Sequence, residues 1–136
     1  MESRGQMMRL LQDEAELQEI VQLVGMDALS APDRLKLEAA RSIREDFLHQ
    51  NSFHEIDTYT PLEKQYLLMK LVLAYYNDAC KALEQGANVE DLVKLAVRER
   101  IGRFKYTTPD AIEAEYQSVL SALAAEIADT LNKEDL

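Results

Sequence analysis

Pro61-Leu62-Glu63-Lys64-Gln65-Tyr66-Leu67-Leu68-Met69-Lys70-Leu71-Val72-Leu73-Ala74-Tyr75-Tyr76-Asn77-Asp78-Ala79-Cys80-Lys81-Ala82-Leu83-Glu84-Gln85 decides the fold class. Within it, Leu62, Tyr66, Met69, Leu73, Tyr76, Cys80 and Leu83 alternate steps of four and three, the spacing that keeps side chains on one face of a helix. Leu68, Val72, Tyr75 and Ala79 widen that stripe, so 61–85 is expected to be the central helix of a core. A second stripe, Ile112, Tyr116, Val119, Leu123 and Ile127, marks the last helix, and a narrower one, Ala39, Ile43 and Phe47, marks the second. Stripes of this kind bury themselves only against other helices, which predicts an all-α protein: a single helical bundle of about five helices.

Punctuation residues place the boundaries. Ser30-Ala31-Pro32, Thr60-Pro61 and Thr108-Pro109 each set a proline at a helix start, where its missing N–H has no intrahelical acceptor to lose, behind a Ser or Thr that can cap the first turn. Thr60 with Glu63 and Ser30 with Asp33 add the spacing of a capping box. Gly25 and Gly86 are read as stops, where the chain leaves a helix through positive φ. The helices predicted are 6–24, 32–49, 61–85, 89–105 and 109–131, in one domain over 1–136. Met1–Gly5 is read as an appended remnant and 132–136 as a frayed tail.

Composition sets limits on function. Fifteen Lys and Arg against 25 Asp and Glu leave a net charge of −10, which repels a phosphate backbone, so nucleic acid is not an expected partner. The one cysteine, Cys80, has no partner within the chain and lies on a core stripe, which fits a reducing compartment and packing rather than nucleophilic catalysis. No run approaches the length of about 18 apolar residues that a membrane-spanning helix needs, so direct membrane insertion is not expected. The four glycines include no phosphate-loop spacing, and the chain is not expected to cradle a triphosphate or to hold a catalytic residue.

Several constellations have two readings. His49 and His54 with Glu45, Glu55 and Asp57 outline a metal site, yet helical zinc pairs are usually spaced three or four apart and an exposed loop of His and acids is ordinarily solvated; no metal is expected. Lys94, Arg98, Arg100, Arg103 and Lys105 form a basic run that either docks an acidic partner or is the outward face of the fourth helix. Tyr66, Tyr75, Tyr76 and Tyr116 are expected in the core with their hydroxyls at its rim. The segment Phe47–Tyr59 sets Phe53 and Tyr59 beside the amides of Gln50 and Asn51, a set able to stack a flat ring and read its edge; the plainer reading is a loop with two anchoring aromatics.

Leu17-Gln18-Glu19-Ile20-Val21-Gln22-Leu23-Val24-Gly25, the Phe47–Tyr59 loop, and Val97-Arg98-Glu99-Arg100-Ile101 with Phe104-Lys105-Tyr106 together resemble the C-terminal domain of rotary ATPase catalytic subunits. The resemblance is to the catalytic alpha chain of the archaeal/vacuolar type and covers most of residues 10–130. It implies that Gly25–Asp33 is a lever loop touching the rotor shaft, with Asp27, Ala28, Leu29, Ser30, Ala31, Pro32 and Asp33 at the contact. The corresponding loop of the related F-type catalytic chain reads D-E-L-S-E-E-D; Asp27, Leu29, Ser30 and Asp33 match, while Ala28, Ala31 and Pro32 depart and thin the charge. It also implies that Phe53 stacks on adenine, with Gln50 and Asn51 at the ring's edge and Tyr59 nearby.

The same resemblance implies that phosphate, Mg-ATP or ADP and the catalytic chemistry belong to a nucleotide-binding domain that precedes this one and is absent from the chain. The expected partners are other ATPase subunits, namely the alternating non-catalytic beta chain and the central rotor stalk, at the cytoplasmic face of a membrane. The expected role is coupling of ATP synthesis or hydrolysis to rotor rotation and to proton or sodium transport. The alternatives are a free-standing helical protein-interaction module and, last, a small metal-dependent hydrolase built on His49, His54 and Glu45.

Overall fold

The computed structural model describes residues 2–48 and 62–134, and these form helices and turns with no strand among them. Helix α1 (Glu2–Val24) and helix α2 (Ala31–Ser42, continued by one π turn, Ile43–Leu48) make an antiparallel hairpin. Helix α3 (Leu62–Glu84) packs against α2, α1 and the last helix, α6 (Ile112–Glu134). Two short helices, α4 (Val89–Val93) and α5 (Val97–Arg103), bridge α3 to α6 through 3-10 turns at Phe104–Tyr106 and Pro109–Ala111. The all-α bundle expected from the stripes is therefore what forms, with α3 at its centre.

The glycine stops act as expected. Gly25 has φ 92° and Gly86 φ 106°. After α3, Gly86 N–H donates to the Leu83 carbonyl (3.1 Å) and Ala87 N–H to the Ala82 carbonyl (3.0 Å), a Schellman closure completed by burial of Ala82 and Ala87. At the start of α2, Ser30 Oγ accepts from the Asp33 N–H at 3.3 Å, with Pro32 in the first turn. Thr108 precedes Pro109 as expected but offers no side-chain cap. Thr60 and Pro61 lie outside the described residues.

The stripe on α6 is buried along its whole length. The α3 stripe needs correction. Its most buried line runs through Leu68, Leu71, Val72, Tyr75, Ala79 and Ala82, whereas Met69, Tyr76, Cys80 and Leu83 are only partly covered and Tyr66 is 52% exposed beneath Lys70. A helix covered by α2 on one side and α6 on another has a broad buried arc, so apolar spacing locates the arc but not its centre.

The expected fourth helix is broken at Lys94-Leu95-Ala96, and the break has an identifiable cause. A continuous helix would join the Val97 N–H to the Val93 carbonyl. Here Arg98 donates to the Val93 carbonyl at 2.9 Å and Glu126, from α6, accepts from the Val97 N–H at 2.9 Å. Two side chains satisfy the pair of backbone groups that the bend releases.

Arg98 does more than close that bend. Its guanidinium donates to the Glu38 carboxylate (2.8 Å), the Glu38 carbonyl (3.2 Å) and Ser42 Oγ (2.9 Å), and lies 5.1 Å from the centre of the Tyr75 ring. Tyr75 in turn donates to the Leu92 carbonyl at 2.9 Å. One cation thus ties α2, α3, α4 and α5 together, against the expectation that the basic run either docks a partner or faces outward. Arg100 is also engaged internally, with Glu115 (3.3 Å) and Ser118 (2.9 Å).

Truncating Arg98 leaves Glu38 short of its partner and orphans a carbonyl, so Arg98→Ala should lower the unfolding free energy by about 3 kcal/mol. Arg100→Ala breaks a half-exposed pair and should cost under about 1 kcal/mol. Urea denaturation of the two variants checks the ordering; equal losses would remove Arg98 from its central place. Burial raises the Tyr75 phenol from 10.0 to about 12, outweighing the opposing Arg98 charge. The unfolded chain loses this proton first, so its contribution to stability is full below pH 10 and is lost as pH rises toward 12, on the order of 2 kcal/mol. Stability measured from pH 9 to 12 should fall more steeply in the wild type than in Tyr75→Phe, and parallel curves would refute this account.

Candidate functional site

The α1–α2 hairpin ends in a compact turn. After Val24, Gly25 crosses to positive φ while its N–H still reaches the Val21 carbonyl at 2.8 Å. Met26–Ala28 then makes a 3-10 turn closed by the Leu29 N–H on the Met26 carbonyl (3.1 Å), and Ser30 opens α2. All seven residues assigned to the lever loop, Asp27 to Asp33, fall on this one turn and the first residues of α2. Asp27, Ala28, Ser30 and Pro32 are exposed, while Leu29, Ala31 and Asp33 are half-buried.

A second loop supports the first. Arg34, one turn into α2, forms an ion pair with Glu90 at the start of α4, and holds the Glu90 carboxyl below its usual range. Asn88 caps α4 by accepting from the Glu90 N–H at 2.8 Å, which fixes that end of the brace. Between the two loops lies a shallow cleft of about 240 Å³, lined by Met26, Asp27, Leu29, Ala31, Arg34, Val89 and Glu90. Nothing in local spacing announces the Arg34–Glu90 pair, whose members are 56 residues apart.

Toward the other end of α2 the chain is tied by a buried acid. Glu14 on α1 is 6% exposed and pairs with Arg44 on the π turn, while Asp13 pairs with Lys36 at 3.5 Å nearer the middle of α2. The π turn leads directly into the segment assigned to adenine, but Gln50, Asn51, Phe53 and Tyr59 lie outside the described residues, as do His49 and His54. Glu45, drawn into the metal alternative, is instead bonded to Arg41 at 3.2 Å. Cys80 is partly buried, with its thiol pushed up chiefly by that burial, which suits packing rather than nucleophilic attack.

A family model for the C-terminal domain of V and A type ATP synthase matches residues 1–93. The chain belongs to this family. The V-type ATP synthase alpha chain of Acetivibrio thermocellus is 54% identical over 131 residues, covering 96% of this chain and 22% of that protein. The alpha chains of Clostridioides difficile (56% over 130 residues) and Clostridium botulinum (49% over 130 residues) cover the same shares. The chain therefore spans about a fifth of the length of these relatives. None of the described helices of this family domain is long and apolar enough to cross a membrane.

The two ends of the Glu14–Arg44 pair are unequal. Arg44→Ala leaves a buried carboxylate without its cation and should cost about 2 kcal/mol, while Glu14→Gln, which keeps a hydrogen-bond acceptor, should cost less than half as much. Thermal unfolding of both variants tests this, and a Glu14→Gln loss as large as that of Arg44→Ala contradicts it.

Proposed function

We propose that this domain is the coupling element of a rotary ATP synthase/ATPase alpha chain, the catalytic chain, converting nucleotide-driven motion into displacement of a central rotor stalk. The observation that carries the reading is the hairpin itself: a projecting turn, Asp27–Asp33, braced by Arg34–Glu90 and continuous with a well-packed bundle. A close-packed body transmits displacement rather than absorbing it. Pro32 stiffens the turn where the F-type loop carries acids, so shape rather than charge is the main element of contact at Asp27–Asp33.

In this reading Phe53 supplies a stacking face for adenine, Gln50 and Asn51 its edge contacts, and Tyr59 a neighbouring wall. Mg-ATP or ADP, its phosphate loop and the chemistry are assigned to another part of the longer alpha chain, next to the non-catalytic beta chain. The assembly would work as a peripheral body at the cytoplasmic face of a membrane, coupling ATP synthesis or hydrolysis to proton or sodium movement. The interaction-module alternative is weakened because Arg98 and Arg100 of the basic run are committed internally.

Phe53→Ala in the complete alpha chain should weaken nucleotide binding at least about tenfold, the scale of one lost base-stacking contact, with little change in stability. Calorimetric titration of Mg-ATP into wild type and variant reads this out, and unchanged affinity removes the adenine assignment.

A further inference from the structure

The turn that ends α2 has no local cause. Ile43-Arg44-Glu45-Asp46-Phe47-Leu48 contains neither Pro nor Gly and follows twelve residues of regular α-helix, yet its backbone widens to a π turn. π-Helix accounts for well under about 1% of residues in globular proteins, and it is found mostly as single turns, frequently at functional sites. Three consecutive residues hold the helix against rotation where it widens. Ser42 Oγ accepts from Arg98 of α5 at 2.9 Å, Ile43 is 1% exposed in the core, and Arg44 pairs with Glu14 of α1. Successive helix positions lie about 100° apart, so these ties grip the chain from three directions. The Ile43 N–H is shared between the Ala39 and Ala40 carbonyls, which marks the end of the regular ladder.

A helix gripped in this way does not take up a surplus residue by turning about its own axis. The surplus is passed on to the chain after Leu48. One residue more or less turns the exit of a helix by about 100° and moves it about 1.5 Å along the axis. Beside the turn, on the α5 side, an open cleft of about 410 Å³ runs past Arg41, Ser42, Glu45, Arg98, Gly102 and Arg103. Crowding on that face therefore does not impose the wider turn, and neither does its own sequence. What the turn does set is the register at which the chain enters 49–61.

We propose that the π turn Ile43–Leu48 is a positioning element for nucleotide binding: it sets the direction in which the chain enters 49–61, and the adenine contact assigned to Phe53 requires that register. This rests on the adenine reading and deepens it by naming the turn that orients the contact. Through Ser42, Ile43 and Arg44 the register is referenced to α5, to the core and to α1 at once. A shift of one residue carries Phe53 away from the place a stacked ring needs, and no tie on α2 corrects it.

The test uses the complete alpha chain and Mg-ATP. Deletion of Glu45 removes the surplus residue and leaves Ser42, Ile43 and Arg44 in place, while Asp46 becomes the fourth residue after Arg41 and keeps an acid at that spacing. Calorimetric titration should show affinity at least about tenfold below the wild type, the scale of one lost base-stacking contact, with the thermal midpoint unchanged or raised. Glu45→Ala, which keeps the residue count of the turn, should bind like the wild type. Wild-type affinity after the deletion, with Phe53→Ala weakened, overturns this inference and leaves the adenine reading standing; wild-type affinity in both variants removes both. A loss in Glu45→Ala equal to that of the deletion assigns the effect to the carboxylate and likewise overturns the inference. Should the deletion unfold the chain, hydrogen exchange on the wild type decides. Saturating Mg-ATP should slow amide exchange across 43–48 at least about tenfold while changing residues 35–40 by less than about twofold, because nucleotide stabilises the register it needs. Equal exchange across 43–48 with and without nucleotide overturns the proposal.

Discussion

The fold depends on a bend that one arginine holds open. Without Arg98 and Glu126 to take over the Val93 carbonyl and the Val97 amide, the segment from Val89 to Tyr106 would have every local reason to be a single rod. A straight rod would set Leu92 and Val97 about 140° apart around its axis, whereas here both are fully buried. Because the bend lets α4 lean toward α2 while α5 lies along α6, the central helix α3 is enclosed. The guanidinium also spans Glu38, Ser42 and the Tyr75 ring, so the hairpin's second helix is registered against the core by the same group that makes the bend. Among the described residues Arg98 Nε is buried without a hydrogen-bond partner, a cost the planar fork accepts in exchange for the contacts of its two terminal nitrogens.

This is also where local reading stops being sufficient. Helix identity was legible because Leu, Ala, Tyr and Ile recur at helical spacing on α3 and α6, and helix ends were legible at Gly25, Gly86 and Ser30 because those positions carry their own chemistry. The break at Lys94–Ala96 carries none: no Gly, no Pro and no hydroxyl cap mark it, and its decisive acceptor sits 29 residues away on another helix. The misplaced centre of the α3 stripe has a related origin. Tyr66 and Leu68 are equally credible as core by type, and only the positions of α2 and α6 decide that Leu68 is enclosed and Tyr66 is not.

The hairpin tip shows the opposite mixture. Its loop could be assigned from Gly25, Asp27, Leu29, Ser30 and Asp33, since a turn between two helices concentrates its information in a few residues. The exposed end of α1 could not, because Ile20, Val21, Leu23 and Val24 gather on one side of the helix and so fit a buried helix as readily as a projecting one. What the sequence does carry there is the unbroken absence of Lys and Arg from residue 10 to 33, a pattern that says nothing about burial but much about what could approach.

The distribution of ties along the hairpin separates a rigid part from a projecting one. Asp13–Lys36 and Glu14–Arg44 clamp α1 to α2 over the stretch in which α1 also contributes Met7, Leu10 and Leu17 to buried positions. Beyond Leu17 no ion pair crosses from α1 to α2 among the described residues, and the brace at the tip, Arg34–Glu90, belongs to α2 and α4. Force applied at Leu23 or Val24 therefore enters a helix clamped only along its earlier turns, and the first charged tie it meets is the buried carboxylate of Glu14 with its cation on the π turn. A π turn holds more residues per turn than the α-helix around it, and such turns are rare. On α1, the charged tie to α2 nearest the projecting end is therefore made at the least regular turn that continues α2.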